Sequence, residues 1–158
     1  METPFALAQA VVLEAARRGL TLATAESLTA GMIAAAVADV PGASRVLLGG
    51  VVSYAFRVKR EVLGVQVGEE QVVSGVCARQ MAAGAQKLLC ADLAVSATGV
   101  AGPDGGTEDT PVGTVWIGLA CGETLTAREY HFTGDRQAVR QETVRQALTM
   151  ILQCMKGG

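Results

Sequence analysis

Residues 20–42 read LTLATAESLTAGMIAAAVADVPG. The first six alternate β-branched and apolar residues as a short strand does, and the alanine-rich stretch from Gly31 to Val40 is helical in composition until Pro41-Gly42 ends it. A strand that turns into a helix across ESLT is the elementary unit of a parallel sheet, so this stretch points to an α/β fold. It also places Ser27 at the junction, where the free N–H groups of a helix N-terminus point outward. The serine reads either as a nucleophile beside a ready-made oxyanion site or as the N-cap of the helix. The junction alone favours the cap, because every helix needs one and few need a nucleophile.

On the N-terminal side, Thr3-Pro4 is a cap followed by a first-turn proline, and Phe5, Ala8, Val12, Ala15 and Ala16 recur at helical spacing until Gly19. On the C-terminal side, RVLLGGVVSYA (residues 45–55) is a β-rich run whose lack of polar alternation predicts burial on both faces, with Gly49-Gly50 marking a bulge or a close backbone approach. A brief helix is expected across Lys59–Leu63, and a longer one from Ser74 to Leu89. Asp92–Thr98 reads as a strand that runs into GVAGPDGGTEDTPVG (residues 99–113), the most glycine-rich segment of the chain. Residues 113–120 and 124–132 form a hairpin across CGE, and Asp135 opens a last helix reaching Met155. This order predicts a three-layer α/β/α sandwich on a mixed, mainly parallel sheet with a late β-hairpin, as one domain over residues 1–158. Ligands of such sheets collect at the carboxyl ends of the strands, where Ser27, Tyr54 and Thr98 fall.

Half of the 158 residues are apolar, enough for a substantial core without metals or disulfides. A net charge of −2 supplies no electrostatic footprint for nucleic acid, so no nucleic-acid partner is expected. Cys77, Cys90, Cys121 and Cys154 stand at least 13 residues apart with no CxxC pair and a single histidine beside them. They read as reduced, buried thiols, and no metal or cofactor is expected. The N-terminus has no basic region ahead of a long apolar stretch, and no window reaches the roughly 18 apolar residues of a membrane span, so a cytoplasmic protein without a membrane partner is expected.

Something must take the proton if Ser27 attacks. His131, within a hairpin strand, is a poor candidate. Lys59 stands five residues after Tyr54; buried against apolar walls, its amine would fall toward neutrality and could act as the base, with the Tyr54 hydroxyl relaying or orienting the proton. The residues alone favour the other reading, a solvated face of a charged helix, because most surface lysines do nothing chemical. TGVAGPDGG closes with no Gly-Lys-Ser/Thr and opens no dinucleotide helix, so neither nucleotide motif applies. Its glycines at 99, 102, 105 and 106 either gather backbone N–H groups into one concavity for a ligand or belong to a plain flexible loop. In FTGDRQAVR, Arg136 and Arg140 share one face at the start of a helix, as a phosphate site or as two solvated charges.

Taken together, ESLTAG, the Tyr54-to-Lys59 pair in GGVVSYAFRVK, TGVAGPDGG with the following PVGTVW, and FTGDRQAVR resemble the C-terminal domain family of the competence/damage-inducible protein CinA. Family members of known activity are nicotinamide-nucleotide amidohydrolases, which convert nicotinamide mononucleotide to nicotinate mononucleotide and ammonia. The resemblance runs from the first helix to the last. It implies an α/β/α sandwich assembled as a homodimer or higher homo-oligomer, a small-molecule nucleotide substrate, Ser27 as nucleophile and Tyr54 with Lys59 as its activating partners. Thr29, Gly31, Thr98, Gly99 and Gly102 would line the pocket, with Arg136 and Arg140 at the phosphate end. The alternative is a domain that binds the nucleotide without turning it over, or a competence accessory. The family usually shows ESCTGG and YSNEAK; here Leu28 and Ala30 stand in the first, and Phe56 and Arg57 replace a polar amide and an acid in the second, which bears on substrate preference and on the lysine. Many longer relatives carry an N-terminal molybdopterin-binding-like domain, so a stand-alone form is expected.

Overall fold

A computed structural model describes residues 2–157. Helix α1 (Pro4–Arg18) starts on the Thr3 cap, whose hydroxyl accepts the Ala6 N–H, and stops at Gly19 in the left-handed conformation. Strand β1 (Leu22–Glu26) leads to α2 (Met32–Ala38), β2 (Leu47–Val52) to α3 (Phe56–Leu63), and α4 (Gly75–Leu89) to β3 (Leu93–Gly99). The hairpin β4 (Thr114–Cys121) and β5 (Thr124–His131) follows, and Asp135 caps the last helix, α5 (Arg136–Met155).

The five strands lie in the order β2-β1-β3-β4-β5. β1 is parallel to both neighbours, while β3 pairs with β4 and β4 with β5 antiparallel, so β4 alone runs against the other four. The sheet is mixed and mainly parallel in strand direction, as expected. Helices α1, α2 and α5 cover one face over a core of Val11, Ile33, Val95, Ile117, Leu148 and Ile151. Helix α4, with α3 against it, covers the other over Ala23, Ala25, Ala94, Met81 and Ala85. That second face is built of small residues because α4 lies close: Ser96 Oγ donates to the Ala78 carbonyl at 2.6 Å, and a Cβ on Gly118 would run into the same carbonyl.

Two expectations are overturned. β2 is an edge strand, half exposed along its length, with Leu48 and Val52 facing solvent. Its apolar run marks a surface with no strand beyond it, which sequence pattern does not distinguish from an interior strand. The glycine pair there does mark both features read from it: the β1–β2 register shifts between Leu22 and Ala23, and Gly50 leaves room for the Thr24 hydroxyl. The cysteines are the second. Only Cys77 is a buried thiol; Cys90 is exposed, and Cys121 at the end of β4 is disulfide-bonded to Cys154 in the last turn of α5. The fold brings together two thiols 33 residues apart that no local spacing links.

Candidate active site

Ser27 leaves β1 at its carboxyl end. Its N–H donates to the Ala97 carbonyl at 2.9 Å, continuing the β1–β3 ladder, and its carbonyl accepts the Ala30 N–H at 3.1 Å, closing a turn. Ala30 (φ 48°) and Gly31 (φ 98°) are both left-handed, so the chain doubles back sharply before α2 begins. Ser27 is not the cap of that helix. The N-cap position belongs to Gly31, which has no side chain to offer, and the orphan N–H groups of Ile33 and Ala34 donate instead to the two carboxylate oxygens of Glu26, at 2.8 and 3.0 Å. A buried carboxylate on the positive end of a helix is well placed electrostatically, and it leaves the Ser27 hydroxyl free of capping duty.

That hydroxyl meets a lysine. Lys59, on the second turn of α3, is 2% exposed, and its Nζ donates to Ser27 Oγ at 2.9 Å, to the Ser53 carbonyl at 2.8 Å and to the Tyr54 carbonyl at 3.1 Å. All three partners are uncharged. Burial holds the amine below the ordinary lysine pKa, and the ionisable neighbour it feels, Cys77, is itself pushed up to about 11 by burial and so stays a neutral thiol. In the neutral form the amine has two N–H donors and one lone pair. The two carbonyls take the donors, and the lone pair then faces the Ser27 O–H, which is the geometry of a general base. Ser53 is held in turn by its N–H, which donates to the Glu26 carbonyl at 2.8 Å.

Tyr54 reaches this centre through its backbone alone. The residue is 56% exposed, its ring turns toward α5, and its hydroxyl accepts from Arg136 Nη2 at 2.8 Å rather than joining the serine–lysine pair. Arg136 also donates from Nη1 to the Gly102 carbonyl at 2.7 Å, so one guanidinium ties the tyrosine to the glycine-rich loop. Arg140, one turn on, donates from Nε to the Leu28 carbonyl at 2.8 Å. Gly102 is left-handed (φ 84°), and a Cβ there would collide with Val112; Gly99 has no room for a side chain against the Thr114 carbonyl. The Thr98 hydroxyl donates to the Val72 carbonyl at 2.7 Å. Thr29 is fully buried with a hydroxyl that has no partner among the described residues. On α3 Phe56 is half-buried with Arg60 over its ring, and Arg57 is exposed and pairs with Glu61.

The fold thus gathers Ser27, Lys59, Thr29, Gly31, Gly102, Arg136 and Arg140 at one end of the sheet, while Thr98 and Gly99 serve strand and loop packing beneath it. Glu26 and Ser53 also hold the serine–lysine pair in place; both stand inside the stretches ESLTAG and GGVVSYAFRVK, where the sequence reading gives neither a role. The available signal for Glu26 was an acid seven residues ahead of a helical N–H and directly beside the serine.

The chain matches the CinA C-terminal domain over residues 5–155. It is 45% identical over 143 residues to a CinA-like protein of Thermotoga maritima, covering 89% of this chain and 35% of that protein. It is 46% identical over 134 residues to a CinA-like protein of Geobacter sulfurreducens, covering 83% and 32%. The chain therefore spans about a third of the length of the curated relatives it matches. Among solved structures, a CinA superfamily protein from Klebsiella pneumoniae superposes with a TM-score of 0.93 at 33% identity, covering 99% of this chain and 100% of that one. The competence/damage inducible protein CihA from Agrobacterium tumefaciens does so with a TM-score of 0.91 at 35% identity, covering 98% and 96%. With the motifs, the fold and the family match in agreement, the chain belongs to the CinA C-terminal domain family.

Proposed function

We propose that this chain is an amidohydrolase that cleaves the carboxamide of nicotinamide mononucleotide to nicotinate mononucleotide and ammonia. The observation that carries the reaction type is the 2.9 Å contact between the buried Lys59 amine and Ser27 Oγ. The choice of substrate rests on the likeness of ESLTAG, the tyrosine–lysine pair and the glycine-rich loop to the family pattern.

Lys59, neutral, takes the proton from Ser27 as Oγ attacks the carboxamide carbon, giving a tetrahedral oxyanion. The Ala30 N–H is already committed to the Ser27 carbonyl, so the oxyanion falls to the N–H groups of Thr29 and Gly31, neither of which has an acceptor among the described residues. The lysine ammonium returns its proton to the leaving nitrogen, the C–N bond breaks and ammonia departs. Water, deprotonated by the same amine, then cleaves the acyl–serine ester. Tyr54 contributes its carbonyl to the lysine and its ring to the rim. Its partner Arg136, with the remaining donors of Arg140, takes the 5′-phosphate at the positive end of α5, while the backbone at Gly102 borders the ribose. Thr98 and Gly99 support that loop from below. Assembly as a homodimer or higher homo-oligomer would cover the exposed apolar residues Leu48 and Val52 of β2.

Ammonia release from nicotinamide mononucleotide tests the reading. Ser27→Ala is expected to lose most turnover while still binding the nucleotide. An alanine variant as active as the wild type would sink the covalent mechanism, and binding with no turnover by the wild type would make this a nucleotide-binding domain.

A further inference from the structure

Arg140 is half-buried, and its Nε donates to the Leu28 carbonyl at 2.8 Å, with Nη2 a longer 3.5 Å from the Thr29 carbonyl. Both acceptors belong to the turn that closes from Ser27 to Ala30. The peptide units of this turn are trans, the cis bond among the described residues lying at Gly102-Pro103. In a trans peptide the C=O and the following N–H point in opposite directions. A guanidinium fixed on the Leu28 carbonyl therefore fixes the direction of the Thr29 N–H, which points the opposite way in the same peptide plane. A charged donor on a carbonyl also polarises its amide and makes the N–H a stronger donor. The Leu28 and Thr29 N–H groups have no acceptor among the described residues, whereas Ala30 N–H is used inside the turn. Arg136 differs: its partners are the Tyr54 hydroxyl and the Gly102 carbonyl, outside this turn.

We propose that Arg140 is a positioning residue, which aims and polarises the Thr29 N–H as an oxyanion donor by holding the Leu28 carbonyl. This rests on the reading of Ser27 as a nucleophile and changes the main duty of Arg140 from gripping phosphate to shaping the turn.

The test compares wild type with Arg140→Met, which keeps the aliphatic stem, and Arg140→Lys, which keeps the charge. Each is assayed on nicotinamide mononucleotide and on the riboside without the phosphate, and in parallel for the rate at which a fluorophosphonate labels Ser27. That probe has no nucleotide part, and its P=O oxygen needs the same N–H donors. A full oxyanion donor is worth about 10²–10³ in kcat, so misaiming one is expected to lower kcat about 10–100-fold. The loss in kcat should be equal on the two substrates and slow labelling by a similar factor, whatever the mononucleotide alone loses in KM through Arg140's share of the phosphate. Unchanged kcat with a KM increase confined to the mononucleotide would return Arg140 to the phosphate and overturn the proposal. If wild type releases ammonia from neither substrate, the proposed reaction fails while the labelling arm still decides. Slower labelling of the variants sustains the role of Arg140; equal labelling, or none of the wild type, ends it. Should Arg140→Met not fold, Arg140→Lys carries the same comparison.

Discussion

The base proposed for this site is best left without a counter-charge, and Lys59 has three uncharged oxygens and a neutral thiol around it. Activity should therefore rise with pH through an apparent pKa below that of an ordinary lysine. Lys59→Arg, whose guanidinium stays protonated, should lose about 10²–10⁴-fold in kcat; a flat pH–rate profile or an active arginine variant would count against the base. The same burial has a stability consequence. Because the folded-state pKa is lowered, the unfolded chain holds more protons between that pKa and the ordinary lysine value, so stability rises with pH across that window. Lys59→Met should flatten the rise in urea melts at stepped pH and raise stability below the window, where the native amine must be charged. The contact between Ser27 and Lys59 was legible only as one of two readings, since the junction alone favoured a cap and the charged helix a solvated lysine; the motifs taken together tipped the choice. The direction of the Tyr54 ring was not legible, since it depends on Arg136, 82 residues away.

At the scale of the element, the start of α2 depends on a side chain borrowed from the strand before it. Glu26→Gln replaces one acceptor oxygen by an amide that can only donate, facing an N–H. It should cost about 1–3 kcal/mol in denaturant unfolding and a larger share of turnover than of binding. A variant with unaltered stability and kcat would show that the helix start does not need the carboxylate. Ala30, left-handed at φ 48°, is strained where the family pattern has glycine. Ala30→Gly should stabilise the protein by about 1 kcal/mol, read as a shift of the denaturation midpoint at constant slope. Helix starts were readable wherever a local cap marks them, as at Thr3, Ser74 and Asp135. At α2 the cap comes from Glu26, so the same rule gave Ser27 a duty it does not have.

Over the whole molecule, the layers followed from the alternation of strand and helix, and the single reversed strand from the hairpin. The Cys121–Cys154 bond did not, because it joins a strand end to a helix end that only the finished fold makes neighbours. Closing that 33-residue separation should contribute about 3–4 kcal/mol through the lost freedom of the unfolded chain. Cys154→Ser, or a thiol reductant, should then lower Tm by about 10 °C, and an unmoved Tm would show the bond to be absent in solution. The two arginines at the start of α5 have a different consequence, set by the order of synthesis. Arg140 is 112 residues beyond the Leu28 carbonyl it holds, so the ribosome finishes the serine turn long before it makes the side chain that shapes it. On the proposed mechanism, a nascent chain carries Ser27 without a completed centre, and an interrupted one never acquires it. Translation halted before α5 should therefore release an inert product, with the reactive hydroxyl armed only after the last helix docks.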